Sequence, residues 1–434
     1  MQSFLQLVAH DLYAKIGNDL SRTALIFPNK RANLFFNEYL AGESDQPIWS
    51  PAAMSISDLF QKLSVQKSGD PIRLVCELYK VFKEETQSQE TLDDFYFWGE
   101  LLISDFDDVD KNMVDADKLF SNLQDLKNLM DDYEFLDKEQ EEAIQQFFQN
   151  FSIERRTELK EKFISLWDKL GTIYHHYREN LTELGIAYEG MLYRNVIEQL
   201  DTDQLKYDKY IFVGFNVLNK VENEFFRKLK DAGKALFYWD YDIFYTQQIR
   251  KHEAGEFLKR NLGEFPNELP ESFFDIFKEP KKIRYISAST ENAQARFLPE
   301  WIKMITDNHS QIAEEKEKEN AVVLCNEALL LPVLHSIPQE VKNVNITMGF
   351  PLAQTPVYSF INAAMELQTN GYRSDTGRFT YEAVSAILKH PYTRQISSHA
   401  GPLERELTKT NRFYPLPSEL KQDDFLTTLF TPRN

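Results

Sequence analysis

The stretch that most constrains the fold is residues 208–242, DKYIFVGFNVLNKVENEFFRKLKDAGKALFYWDYD. It opens on KYIFV (209–213), an apolar run too short for a helix and rich in β-formers. Gly214, Asn216 and Asn219 supply a turn. Leu218, Val221, Phe225, Phe226 and Leu229 then recur at helical spacing, with Lys220, Glu222, Glu224, Arg227 and Lys228 largely on the other face. Gly233 suits a helix C-terminus, and ALFYW (235–239) reads as a second buried strand. Two parallel strands joined by a helix predict a doubly wound sheet, in which ligands sit at the carboxyl ends of the strands. Those ends are Gly214-Phe215-Asn216 and Asp240-Tyr241-Asp242.

With 434 residues the chain has room for two or three domains. Its 42% hydrophobic and 27% charged content is that of a globular protein. The 49 basic and 68 acidic side chains leave a net charge of −19, which repels nucleic acid at long range. Any DNA contact therefore needs a local basic groove or a partner subunit. Cys76 and Cys325 lie in apolar stretches and read as buried thiols of a reducing cytosol, so a cytoplasmic location is expected. No apolar run approaches the ~18 residues of a membrane helix, so no membrane partner is expected. The start, MQSFLQLVAHDLYAKIG, reads as an amphipathic helix rather than a secretory signal.

In chain order, a helix with Phe4, Leu5, Leu7, Val8, Leu12 and Ile16 as its apolar stripe ends at Gly17. A buried strand, TALIF (23–27), follows. The turn Pro28-Asn29-Lys30-Arg31 then leads into a helix over 32–40. A basic, amide-bearing turn at a helix N-terminus suits phosphate; a solvated turn is the plainer alternative. Residues 46–53 read as a Pro-rich link, and 56–204 as almost wholly helical. Helices are expected over 72–83, 92–106, 138–151 and 159–184. Their aromatics, including Phe95, Tyr96, Phe97, Trp98, Phe163, Trp167, Tyr174 and Tyr177, are core packing first and a base-stacking platform second. Beyond the polar passage 261–279, strands are expected at 283–287, 321–325 and 344–347. Helices are expected at 291–306, 328–335, 357–367 and 381–389, with a charged link at 314–319 and a polar, Pro-rich tail after Ser397.

This order predicts an α/β protein of two RecA-like parallel-sheet domains, laid out as in superfamily I helicases, with a large all-helical insertion. The first domain is 1–55 plus 205–275, the insertion 56–204, and the second domain 276–434. Layout alone assigns no activity.

The chemistry of an ATPase is missing from the sequence. No G-x-x-x-x-G-K-[ST] loop occurs, and Gly233-Lys234 sits between a helix and a strand, the wrong order. The strand KYIFV ends in Val213-Gly214-Phe215-Asn216, without the carboxylate that would hold Mg²⁺. The run SDFDDVD (104–110) imitates a helicase metal box but follows a helical stretch, and is read as a solvated acidic helix end. It also misses the calcium-loop pattern. His175 and His176 are adjacent on a helix and face different directions. No H-E-x-x-H, G-x-S-x-G or metal-spaced cysteine pair is present. Glu158-Leu159-Lys160 has the spacing of a nuclease E-x-K, but in a helical pattern.

Seven segments carry a family resemblance. They are LIFPNKRANLFFNEYL (25–40), PIWSP (47–51), FYFWGELLISDFDDVD (95–110), AYEGMLYR (187–194), FVGFNVLNKVE (212–222), FYWDYD (237–242) and MGFPLAQTP (348–356). Together they resemble the N-terminal, helicase-like half of Bacteroidetes PD-(D/E)XK nuclease family proteins, which are similar to the AddB/RexB subunit of bacterial helicase–nucleases. The resemblance implies an inactivated helicase fused to a downstream nuclease, acting in DNA double-strand-break repair with an AddA/UvrD-like helicase subunit. It implies Mg²⁺, and in some members an iron–sulfur cluster, in that downstream domain; two isolated cysteines cannot supply four cluster ligands. By the same resemblance Asn29, Lys30 and Arg31 would hold phosphates of single-stranded DNA, and Thr347, Gly349 and Gln354 would contact its backbone from the second sheet. No catalytic residue is implied in this segment. The alternatives are part of an active metal-dependent exonuclease and a purely structural subunit without DNA contacts.

Overall fold

A computed structural model describes residues 2–120, 156–247, 253–305 and 320–433, with side chains in the helix that starts at Arg156 described from residue 169. The helix expected over 138–151, the link 314–319, and the side chains of Phe163 and Trp167 lie outside the described residues. Two compact units emerge, Met1–Lys281 and Lys282–Asn434.

Unit 1 is built on a parallel sheet of four strands, β1 (Thr23–Phe27), β2 (Ala52–Ser55), β5 (Lys209–Val213) and β6 (Ala235–Tyr238), in the order β2-β1-β5-β6. Helices cover both faces, so the central strands are buried throughout and read as continuous apolar runs. Side chains alternate between two cores. Leu25, Phe27, Ile211, Val213 and Tyr238 pack beneath α1 (Phe4–Ile16) and α2 (Ala32–Ala41), against Val8, Leu12, Phe36 and Leu40. Ala24, Ile26, Tyr210, Phe212 and Phe237 point the other way. They pack with Phe60 of α3 (Ile56–Leu63) and with Phe225 and Phe226 of the helix Lys220–Asp231. Thus β1 reaches β2 by a helix on one face and β5 reaches β6 by a helix on the opposite face.

The insertion runs from the end of β2 to the start of β5. It adds α4 (Pro71–Thr86), α5 (Leu92–Lys111), α6 (Arg156–Glu183) and α7 (Glu189–Gln199), and the helix Lys220–Asp231 then follows as α8. Two-residue strands β3 (Lys67–Ser68) and β4 (Ile186–Ala187) pair in parallel within it. β2 itself falls partly inside the stretch expected to be a link, because Ala-Ala-Met-Ser carries no β-branched residue and only four positions.

Local signals explain the boundaries. Ser3 caps α1, and Gly17, at φ +83°, ends it. Capping boxes begin α3 (Ser55/Asp58), α5 (Thr91/Asp94) and α8 (Asn219/Glu222). Gly190 lets α7 meet α5: a Cβ there would lie 2.4 Å from the Asp107 carbonyl oxygen.

The run SDFDDVD does end a helix, but it is not simply solvated. Asp110 has no exposed surface and takes hydrogen bonds from the hydroxyls of Tyr174 (2.6 Å) and Tyr188 (2.5 Å). Arg178 also pairs with it, and Arg194 approaches to 3.3 Å. Burial, and then the adjacent Asp110 carboxylate, push the Tyr174 hydroxyl up to about 12, so it stays a donor. One carboxylate thus ties α5 to α6, β4's flank and α7.

Unit 2 departs from expectation. Residues 283–287, 321–325 and 344–347 form no β-ladder among the described residues; Tyr285 is 92% and Val323 83% exposed. Among the described residues their β-forming composition meets no neighbouring strand, so a second RecA-like sheet is not seen there. Cys325 is exposed and Cys76 half-buried, which corrects the expectation of two buried thiols. The core is instead helical, with Leu367, Val384, Leu403, Leu426 and Phe430 buried together. They come from helices Pro356–Thr369, Tyr381–Lys389, Ala400–Lys409 and Asp424–Leu429 and from Phe430 just after the last, these latter two helices in the stretch read as a polar, Pro-rich tail. The apolar period Leu403, Leu407 was there to be read, hidden by flanking prolines. The helix expected over 291–306 breaks into Glu291–Arg296 and Leu298–Ile305 beside Pro299.

Replacing Asp110 by Asn should cost about 3 kcal/mol of unit 1 stability, since it leaves two arginines facing a neutral amide. Urea unfolding of the chain measures this, and a loss below about 1 kcal/mol would mean the network does not hold the insertion.

Candidate functional site

Because the crossovers from β1 and β5 lie on opposite faces, the loops after these two adjacent strands diverge. The crevice between their carboxyl ends is the topological switch point of the sheet. One wall is Pro28–Asn29–Lys30–Arg31, all exposed. Asn29 shapes it: its Oδ1 accepts from the backbone N–H of Arg31 (3.1 Å) and Ala32 (3.3 Å), and so starts α2. Lys30 reaches Asp58 in the first turn of α3, Nζ to Oδ1 3.0 Å. Ser55 and then Lys30 hold the Asp58 carboxyl below its ordinary value.

The other wall is the loop after β5. Gly214 adopts φ +73°, which a residue with a side chain rarely takes, and its N–H donates to Tyr238 at the end of β6 (2.9 Å). Asn261, almost fully buried, donates to the Asn216 carbonyl (2.6 Å). No carboxylate stands between Val213 and Val217.

At the end of β6 the polar groups hold structure. Trp239 Nε1 donates to the Phe265 carbonyl (2.9 Å), and Tyr238 donates to Asp11 (2.6 Å). Asp242 accepts from the backbone N–H of Phe244, Ile276 and Phe277. Burial alone would raise its pKa, but these three donors hold it below the ordinary value. Asp240 has its pKa raised by burial.

A polar chain that sequence reading missed runs along this edge. Ser57 donates to Glu189 (3.2 Å), Glu189 pairs with Lys111 (2.6 Å), and Lys111 pairs with Asp107 (2.7 Å). Tyr193 donates to Glu189 (3.0 Å), and Glu222 lies close enough to feel both Lys111 and Glu189. Burial opposes the charge on Lys111, yet Asp107 and Glu189 raise its pKa and keep it protonated. These contacts fasten the insertion across the helix starts that follow β2 and β5. The signal available in sequence was the Ser55-x-x-Asp58 capping box, which marks the start of α3 just past the stretch read as a link.

Thr347 and Gly349 lie on exposed irregular chain in unit 2, and Gln354 on the exposed turn Leu352–Gln354. Thr355 caps the next helix through the N–H of Tyr358. The three share one stretch, ahead of a helix rather than at the end of a strand. Nearby, Ser359 Oγ lies 3.0 Å from His390 Nε2. His390 Nδ1 accepts the N–H of Tyr392, so the neutral ring carries its proton on Nε2 and cannot act as base toward Ser359.

Among the described residues no group of three or more His, Cys, Asp or Glu is arranged to hold a metal ion. No described helix is long and apolar enough to cross a membrane. No family model matches the chain, and no curated protein matches it.

Proposed function

We propose that this chain is a helicase-like DNA-handling and scaffold segment without its own catalysis. It guides a single strand toward a nuclease domain or partner in double-strand-break repair, beside an AddA/UvrD-like helicase subunit. The observation that carries the reading is the switch-point crevice. Its β1 wall is exposed and basic, while its β5 wall lacks the metal carboxylate. Asn29, Lys30 and Arg31 would take phosphates there, and Thr347, Gly349 and Gln354 offer a second backbone contact in unit 2.

The charge distribution removes the main objection. Residues 56–204 carry 33 acidic and 16 basic side chains. The sheet segments, 1–55 and 205–281, carry 18 and 17, and residues 282–434 carry 17 and 16. The repulsion therefore comes from the insertion, and the crevice-bearing segments are nearly neutral. Neither of the family's metal groups fits these residues. KYIFV ends without a carboxylate, and the two cysteines lie in separate units where a cluster needs four ligands. Nuclease chemistry would belong to a downstream domain.

Replacing Lys30 and Arg31 by Ala should weaken binding of oligo(dT) and reduce its salt slope by about 0.7 per lost phosphate contact. Asp58→Asn should do the reverse, because it frees Lys30 and leaves an amide that can still accept from Ser55. Fluorescence anisotropy against salt concentration reads both. Unchanged binding in the two variants, or none in the parent, would favour the structural-subunit alternative.

Calorimetry with ATP and Mg²⁺ should give no heat above dilution, since the sequence holds no G-x-x-x-x-G-K-[ST] loop. Micromolar affinity would sink the inert-helicase reading.

A further inference from the structure

In unit 2 the two-residue strands Tyr372–Arg373 and Arg378–Phe379 pair antiparallel, with Gly377 at φ +66° in the turn between them. The chain at 413–415 runs along the second strand. The N–H of Phe379 donates to the Pro415 carbonyl (3.0 Å), and that of Tyr381 to the Phe413 carbonyl (2.9 Å). Successive side chains of such strands point to opposite faces. The register puts Phe379 and Pro415 together on an inner face, where both are buried. It puts Arg373, Arg378 and Tyr414 together on the outer face.

Arg373 stands directly opposite Arg378. Like charges in that position, with Cβ atoms about 5 Å apart, repel each other. Neither arginine forms an ion pair among the described residues. Arg378 Nη1 donates to the Tyr414 carbonyl (2.9 Å), and the Arg373 guanidinium lies 5.2 Å from the centre of the Tyr414 ring, which is 47% exposed. Two carboxylates of this region are engaged elsewhere: Asp375 accepts the N–H of Thr376 (2.9 Å), and Glu419 pairs with Arg412.

We propose that this outer face binds single-stranded nucleic acid, with a backbone phosphate between Arg373 and Arg378 and a base stacked on Tyr414. An anion between two opposed guanidinium groups replaces their repulsion by charge-assisted hydrogen bonds. The ring selects the kind of anion. A carboxylate-bearing peptide uses the arginines alone, whereas a nucleotide also lays its base on the ring, whatever the sequence. Local charge agrees: residues 371–415 carry 7 basic and 4 acidic side chains in a chain of net charge −19. The ligand class rests on the DNA-handling reading; the site itself uses neither the crevice nor Thr347, Gly349 and Gln354.

The test is fluorescence anisotropy of the full chain with labelled oligo(dT) and with an abasic oligonucleotide of the same length. Arg373→Gln/Arg378→Gln should weaken both and reduce the salt slope by about 0.7 per lost phosphate contact. Tyr414→Leu should weaken oligo(dT) about tenfold and leave the abasic strand unchanged, while Tyr414→Phe binds as the parent does. Phe413→Ala, on the opposite face, should change neither. Full oligo(dT) binding by the arginine variant or by Tyr414→Leu overturns the proposal, as does an equal loss in Phe413→Ala. Displacement by polyglutamate as strong as that by unlabelled oligo(dT) marks a general anion surface and overturns it too. Loss in Lys30→Ala/Arg31→Ala with none in the arginine variant here refutes this site and leaves the crevice reading standing. The reverse keeps this site and refutes the crevice, and no binding by the parent chain refutes both.

Discussion

Parallel pairing of β1 with β5 joins residues 186 positions apart and carries the architecture of unit 1. Thr23 through Ile26 face Lys209 through Phe212 in register, and the whole insertion hangs from the sheet between them. Closing so long a loop costs little more than closing a short one, because the entropy grows with the logarithm of length. What holds the pair is burial on both faces. The exposed Arg22–Asp208 ion pair at its entrance contributes little. Because β2 lies beside β1 on one side and β6 beside β5 on the other, right-handed crossovers carry the chain to opposite faces, and the crevice is a geometric consequence.

That sheet was largely legible in sequence because its strands are buried on both sides and read as unbroken apolar runs. TALIF and KYIFV were placed to the residue, and the helix between KYIFV and ALFYW showed its period. Weak or misleading local signals account for the rest. β2 is four residues, Ala-Ala-Met-Ser, at an edge, with no β-branched side chain. The segments 283–287, 321–325 and 344–347 have strand composition, but a strand is a pairing between segments, and composition does not provide the neighbour. The prolines after Ser397 suggested a tail, whereas Pro402 and Pro417 sit in the first turns of helices, where a missing N–H costs nothing.

The candidate site was legible in its residues and not in its connections. Asn29, Lys30 and Arg31 stand out in the sequence as a basic turn before a helix, suited to phosphate or simply to solvent, and the turn is exposed. Asn29 bonds locally to the N–H groups of Arg31 and Ala32, but Lys30 finds Asp58 28 residues further on, and no local pattern announces that pairing. The acidic run 104–110 shows the same limit. Spacing identifies a helix end, but Asp110 acquires its role only when Tyr174, Arg178 and Tyr188 arrive from distant segments.

At the strand ends that nucleotide-hydrolysing sheets of this winding use for chemistry, the polar groups have been taken up by the fold. Gly214 turns the chain and bonds back to Tyr238. Trp239 and Asp242 tie β6 to the segment that follows it. Lys111, Glu189 and Asp107 neutralise one another across the insertion. A group already satisfied by protein partners has little to gain from a ligand, since binding must first break what is made. The turn after β1 differs: its lysine is held by one exposed ion pair, the weakest kind of tether. A ligand can displace that contact at smaller cost than any in the more elaborate polar chain beside it.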